Sequence, residues 1–364
     1  MNELHVADNA HQRLVELVSD VCEVQDITVG YVRGQGARIR GRLRIPASEA
    51  YDIVAPRFQA LGYTALFRQE GKLQTILAEP GVFRLRQYNI WVNIVLFIVT
   101  ALSVLLTGVT LIAPAKEWSL PALLPGLGFA VSLMAILLAH EMAHYFAARR
   151  FGVPISLPYF IPFPLTLFGT MGAAEIMQGR PKNRRALLAV GMAGPLAGFL
   201  LALPILLLGL LLSKVQPIPT EGAYFVEGNS LLYLALKYLV FGRILPGNGY
   251  DVFIHPVAFA GWGGLLVTAL NLIPAGQLDG GHIIYALWGR SSRWLVWPIL
   301  ITLIILGIKW WPWYIWAGLI YFLGRVYAEP LDDITELSKT SRVLAVLMLL
   351  LFVLIFSPLP FQMG

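Results

Sequence analysis

Hydrophobic positions along this chain follow two different patterns. Before about residue 88 they alternate with polar residues over short stretches. "ITVGYV" and "ARIRGRLRI" read as strands, "TALFRQEGKLQTILAE" as a hairpin and "SEAYDIVAPRFQALGY" as a helix. From about residue 89 the apolar positions run together. Stretches at about 89–113, 121–150, 184–213, 255–290, 294–308, 311–328 and 342–357 have the character of spans, and several have the length that crosses a hydrocarbon core, about 20 apolar residues. The fourth is interrupted at "NLIPAGQLDGG", where Pro274, Gly276, Gly280 and Gly281 argue against one continuous helix. Such breaks are tolerated at membrane depth where protein or a cavity satisfies the freed backbone groups.

The predicted fold class is therefore an α-helical polytopic membrane protein with about seven spans, one interrupted helix and a membrane-embedded loop. A small soluble α+β domain with an antiparallel sheet precedes it. The expected division is 1–88 for the α+β domain and 89–364 for the transmembrane domain, with a core at 89–290. The embedded loop is 151–183, "FGVPISLPYFIPFPLTLFGTMGAAEIMQGR" and onward. It has too many prolines for a spanning helix and few charges, and "FGTMGA" reads as an extended piece of a re-entrant hairpin. A loop resting on the bilayer surface is the other reading. Trp310, Trp311, Trp313 and Tyr314 read as an interfacial aromatic belt. Gly194 and Gly198, four apart in "GMAGPLAG", read as a place where a neighbouring helix comes close.

Composition agrees with a membrane protein rather than a large soluble helical one: 57% of residues are hydrophobic and 13% charged, against about 25% charged in a typical soluble domain. The net charge of +6 comes without a basic stripe interleaved with aromatics, so no nucleic-acid partner is expected. Lysine and arginine instead report topology. With the N-terminus inside and seven crossings they divide 22 inside to 5 outside, which predicts a cytoplasmic N-terminal domain and an external C-terminus. "MNELHVADNAHQ" has neither the basic start nor the apolar core of a cleavable signal. A single cysteine, Cys22, excludes an internal disulfide and any cysteine-based metal site.

The chemistry begins at "ILLAHEMAHYFAARR". On a helix His140 and His144 are separated by about 40° in azimuth and about 6 Å along the axis. Both imidazoles can reach one metal ion, with Glu141 beside them to take a proton from water. A catalytic metal needs a third protein ligand and an open position. Within the assigned spans the only acids are Glu141 and Asp279. A carboxylate near mid-bilayer costs about 2.5–3.5 kcal/mol on insertion scales, so Asp279 needs a partner. The metal would be that partner, and Asp279 would supply the anion two histidines lack. A helix N-cap is the alternative role for Asp279. Both halves of the proposed site lie near the cytoplasmic ends of out-to-in spans, at one depth. His282, three residues beyond Asp279, reads either as an outer-shell partner or as packing. His255, His5 and His11 receive no role.

"HEMAH" followed by "NLIPAGQLDGG" resembles the site-2 protease family of intramembrane zinc metalloproteases. The match is to H-E-x-x-H plus N-x-x-P-x-x-x-L-D-G, here Asn271, Pro274, Leu278, Asp279 and Gly280, with "AGPLAG" between them. The resemblance covers about 89–290. It implies that His140, His144 and Asp279 bind one Zn²⁺ per chain, that Glu141 is the general base, and that Asn271 holds substrate or a developing oxyanion. It also implies that Gly169–Ala174 offers an extended edge to an unwound substrate strand. The expected activity is metal-assisted hydrolysis of a peptide bond in a transmembrane segment of a membrane-protein substrate, in a lipid bilayer. Members often carry a PDZ-sized insertion or C-terminal CBS domains, and this chain shows neither. Its layout is closer to the plastid and cyanobacterial-type branch, and a prokaryotic cell membrane is the expected location. A membrane metal or ion transporter using the same His/Asp cluster is the alternative. It would show repeated halves and have no need of Glu141.

Overall fold

In the computed structural model the described residues are 13–32, 35–82, 88–113, 119–219, 225–324 and 326–363. Most of the expected "RLRQYNI" link, and His5 and His11, lie outside them.

The N-terminal alternation folds into strands β1 (Cys22–Val32), β2 (Gln35–Leu43), β3 (Tyr63–Glu70) and β4 (Leu73–Pro80), with helix α1 (Ala47–Ala60) between the second and third. The sheet is antiparallel in the order β1-β2-β4-β3. Its register places Ile39 opposite Ile76 and Ile76 opposite Phe67. That row is fully buried together with Val54 and Phe58 of α1, so the alternation has one face for the helix and one for water. Two residues, Gly71 and Lys72, close the β3–β4 hairpin, and Gly71 has φ 63, which a tight hairpin turn requires.

The outer edge of β3 does not stay open. The Phe67 amide donates to the Leu331 carbonyl at 2.8 Å, and the Asp333 amide donates to the Phe67 carbonyl at 3.1 Å. Arg68, only 2% exposed, donates to the Leu331 carbonyl at 2.9 Å. Asp333 in turn accepts from Arg184 at 2.9 Å and from the Tyr285 hydroxyl at 3.3 Å. The sheet is thus tied to a segment that itself holds two helices of the membrane part.

The helices of the membrane part are α2 (Ile90–Thr107), continued by a π-helical turn over Gly108–Ile112, then α3 (Leu120–Arg150), α4 (Arg184–Leu211), α5 (Leu231–Phe241), α6 (Pro256–Asn271), α7 (Asp279–Trp288), α8 (Val296–Gly307), α9 (Pro312–Leu323) and α10 (Lys339–Ile355). Among the described residues four stretches are long and apolar enough to cross a membrane: Ile90–Ile112, Leu120–Arg150, Arg184–Leu211 and Asp279–Gly307. The other expected crossings fall on shorter helices. The fifth expected span is not separate either, because a 3-10 turn over Gly289–Leu295 joins α7 to α8. Helix α5, which the sequence reading did not assign, lies in the chain between β8 (Phe225–Glu227) and β9 (Tyr250–Phe253), which pair with β10 (Phe361–Met363) and β7 (Lys214–Pro217) respectively.

Capping explains where two of the long helices begin. The Asn89 side chain accepts from the Trp91 amide at 3.0 Å, and Asn183 from the Ala186 amide at 3.0 Å. The exposed side chains of α2 include Trp91, Val95, Ile98, Leu102 and Leu106, a surface suited to lipid rather than water. Helices α3, α4 and α6 pack against one another, and α7 packs on α4. The aromatic-belt expectation fails for Trp313. It is fully buried and its indole N–H donates to the Pro358 carbonyl at 2.7 Å, whereas Trp311 is exposed.

Candidate metal centre

Helix α3 is 31 residues long, about 46 Å at 1.5 Å per residue, and its metal-type motif, His140 to His144, begins ten residues before its C-terminal end. The helical period brings both imidazoles to one side, with ring centroids 4.9 Å apart. His140 and His144 are buried, and so is Glu141 between them in sequence. The His144 Nδ1 lies 2.8 Å from the Val190 carbonyl of α4. A carbonyl only accepts, so Nδ1 carries the proton and Nε2 keeps its lone pair.

The third member arrives through the helix break. After α6 ends at Asn271, the chain turns at Gly276, with φ 55, where a Cβ would stand 2.3 Å from the Gly324 backbone. Only glycine fits that approach. The turn lets α7 restart at Asp279. Here the residue in the cap position is Leu278, without a side-chain cap bond. Asp279 instead turns its Oδ2 toward the histidines, 3.4 Å from His140 Nε2 and 3.2 Å from His144 Nε2. The two Nε2 atoms are 3.2 Å apart.

These three separations test the fit of a metal. Donors at 2.0–2.2 Å from a tetrahedral ion lie about 3.3–3.5 Å from each other. An Nε2 pair and a carboxylate oxygen at nearly equal spacing form such a face, and two facing lone pairs beside an anion repel one another unless a cation joins them. Among the described residues His140, His144 and Asp279 are the only group able to hold a metal ion in this way.

Asn271 Nδ2 lies 3.4 Å from His140 Nε2. A cavity of about 280 Å³ opens beside the cluster and is lined by Glu141, Asn271 and His282 as well as the three donors. The cavity also reaches the hairpin formed by β5 (Tyr159–Pro162) and β6 (Thr170–Ala174), with Ala173 and Ala174 in its wall. The expected extended piece is therefore a strand, and it stands at the site. His255 caps α6, accepting from the Val257 amide at 3.2 Å.

Two features of the site escaped the sequence reading. Gly194 and Gly198 do let a neighbouring helix, α3, come close, but the spacing does not say which of its groups they meet. They make room for the imidazoles: a Cβ at 194 would stand 2.0 Å from His144 Nε2, and one at 198 would stand 3.0 Å from His140 Nδ1. The second is Glu175, which lines the cavity. A signal existed for it, since it is the only acid between Glu141 and Glu221.

Residues 128–301 match Peptidase family M50. The chain is 37% identical over 247 residues to a protein from Oryza sativa subsp. indica named probable zinc metalloprotease EGY2, chloroplastic, covering 67% of this chain and 44% of that protein. It is 33% identical over 245 residues to the Arabidopsis thaliana protein of the same name, with the same coverage. Against the Arabidopsis probable zinc metalloprotease EGY1, chloroplastic, identity is 30% over 319 residues, covering 79% of this chain and 56% of that one. The chain thus spans about half the length of the curated relatives it matches. No solved structure matches it.

Proposed function

From the premise that this chain belongs to peptidase family M50, the site-2 protease family, through residues 128–301, we propose that it is an intramembrane zinc metalloprotease. It hydrolyses a peptide bond in a transmembrane segment of a membrane-protein substrate. The observation that carries this reading is the near-equilateral set of His140 Nε2, His144 Nε2 and Asp279 Oδ2 beside the Glu141 carboxyl.

On this reading those three residues hold one Zn²⁺. Zinc held there would supply Lewis acidity, acidifying a water and polarising a carbonyl. Glu141 accepts the proton of the attacking water and returns it to the leaving amine. Asn271, at the end of α6, offers a donor toward the developing oxyanion. Val190, through its carbonyl, keeps the His144 proton on Nδ1. The substrate must lose its helical hydrogen bonds locally, and pairing with the free edge of β6 would restore them.

The same reading sets the chain in its membrane. Seven crossings are completed by the shorter helices. The N-terminal sheet, the Arg149–Arg150 end of α3 and the arginines before α8 face the cytoplasm of a prokaryotic cell, as the basic-residue split supports. Residues 1–88 act as a separate module over the aqueous entrance. A cysteine at Leu61, 40% exposed, should resist a membrane-impermeant thiol reagent in intact cells, and labelling there would reverse the topology. Deleting residues 1–80 should change cleavage rate or selectivity with zinc retained. Unchanged kinetics would remove the gating role.

The test of the whole reading is the zinc content of purified protein, measured beside cleavage of a single-span substrate. Zinc near one per chain, with cleavage abolished in Glu141→Gln, is the expected result. Metal-bound protein that moves an ion across vesicles and cleaves nothing would replace the protease by a transporter.

A further inference from the structure

Hydrolysis as described leaves one acid in the cavity without a task. Glu175 follows the last residue of β6, and its side chain lines the same cavity as Glu141, Asn271 and the three donors. Its Oε1 is buried with no hydrogen-bond partner. It does not belong to the group of donor atoms within 4.8 Å of one another, which His140, His144 and Asp279 make up. Glu175 is therefore placed as neither a ligand nor the base next to the ligands.

Charge gives the reason to look for its partner. Two neutral imidazoles, a divalent ion, the Asp279 carboxylate and the Glu141 carboxylate sum to zero. A third carboxylate leaves one negative charge in excess. Burial raises the pKa of the Glu175 carboxyl, the Glu141 and Asp279 carboxylates act in the same direction, and among the described residues no lysine or arginine lines the cavity. A half-buried carboxyl whose Oε1 has no partner is favoured in its ionised form by a cation beside it, and among the described residues that line the cavity none brings one.

Position indicates where the cation would come from. β6 is paired with β5 in a two-stranded sheet, so among the described residues its second edge has no strand partner. Its wall residues beside Glu175 are Ala173 and Ala174, too short to fill the space. An extended segment laid along that edge sends successive side chains to opposite faces, and one of them would meet the Glu175 carboxylate close to the metal cluster. The cluster lies near the arginine-bearing end of α3. A substrate span entering at that depth presents its own basic flank, since lysine and arginine collect at that end of spans and reach along their stems.

We propose that Glu175 is the specificity-determining residue of this site, selecting extended substrate segments that carry a lysine or arginine side chain beside the scissile peptide. The proposal rests on the protease reading. The ion pair forms only with substrate in place, so it discriminates between segments without altering the metal site. An acidic side chain at that position is rejected, because it would add a second uncompensated charge to the cavity.

The test uses the full chain in lipid nanodiscs and a single-span substrate peptide. Once its cleavage point is mapped by mass spectrometry, flanking residues are replaced one at a time by Lys, Gln or Glu. At one flanking position the Lys peptide should be cleaved at least about tenfold faster than the Glu peptide. Glu175→Gln should reduce that ratio to within a few fold while keeping zinc, and Glu175→Lys should invert it. The same order should appear in binding of the peptides to Glu141→Gln protein, which needs no turnover. A Lys-to-Glu ratio unchanged by Glu175→Gln would overturn the proposal, as would an equal loss for every peptide. Loss of zinc in Glu175→Gln would make it a ligand instead. If no peptide is cleaved but binding still follows Glu175, the protease reading fails and the cation preference stands.

Discussion

Gly194 lies directly beneath the His144 ring, so that a Cβ on residue 194 would be 2.0 Å from Nε2. The ring must therefore move if that hydrogen becomes a methyl group. Its Nδ1 bond to Val190 is then lost as well, because both neighbours belong to α4. Gly194→Ala should lower zinc affinity about 10–100-fold, as loss of an orienting partner does in metal sites. The helix itself should tolerate the change, since alanine suits a helix interior better than glycine by about 1 kcal/mol. Zinc titration by competing chelator checks this. Gly318→Ala is the control, as nothing lies within 4 Å of its would-be Cβ, and it should bind zinc normally.

Glu141→Gln keeps the shape of the side chain and all three donors. Zinc content should stay near one per chain while cleavage falls by at least about 10²–10⁴-fold, the usual worth of a general acid–base group. Paired metal analysis and cleavage assays read both numbers from one preparation. Cleavage close to the normal rate would remove Glu141 from the mechanism.

Asp279→Ala and Asn271→Ala should fail differently. The first removes one of three donors and should lose both metal and activity while still inserting, because deleting a charge eases insertion. The second leaves the donors in place and should keep zinc. Its turnover should drop by about 2.7–4 kcal/mol of transition-state stabilisation. Full zinc occupancy in Asp279→Ala would demote the residue to a structural role.

Arg68→Met should loosen the join between the N-terminal sheet and the membrane part without unfolding the sheet. The substitution keeps an apolar stem but loses the donor to the Leu331 carbonyl and the contact with Glu329. Hydrogen bonds from charged groups contribute about 1.5–3 kcal/mol. Hydrogen exchange should speed up at the Phe67 and Asp333 amides, which cross the join. The Ile39 and Ile76 amides, inside the sheet, should stay protected. Equal acceleration at all four would mean that the sheet needs the join in order to fold.

Much of this protein is legible along the chain because the governing forces act over a few residues. Apolar length sets which helices are suited to a bilayer, alternation sets the four N-terminal strands, and the 3.6-residue period alone places His140 and His144 on one face. Pro274 and Gly276 mark the helix break because their backbone restrictions are local. What the chain does not carry locally is which distant surface each residue meets. The spacing of Gly194 and Gly198 told of close approach but not of imidazoles fifty or more residues away. Trp313 resembled its belt neighbours until the Pro358 carbonyl and the surrounding core enclosed it. The single acid in an apolar loop, Glu175, acquires meaning only when β6 is folded against α3. The join of Phe67 to Leu331–Asp333 spans more than 260 residues and rests on backbone hydrogen bonds, which have no side-chain signature. Periodicity and turn chemistry are written in neighbouring residues, whereas contact across the fold is decided by packing, so the surroundings of the site emerge only when distant segments meet.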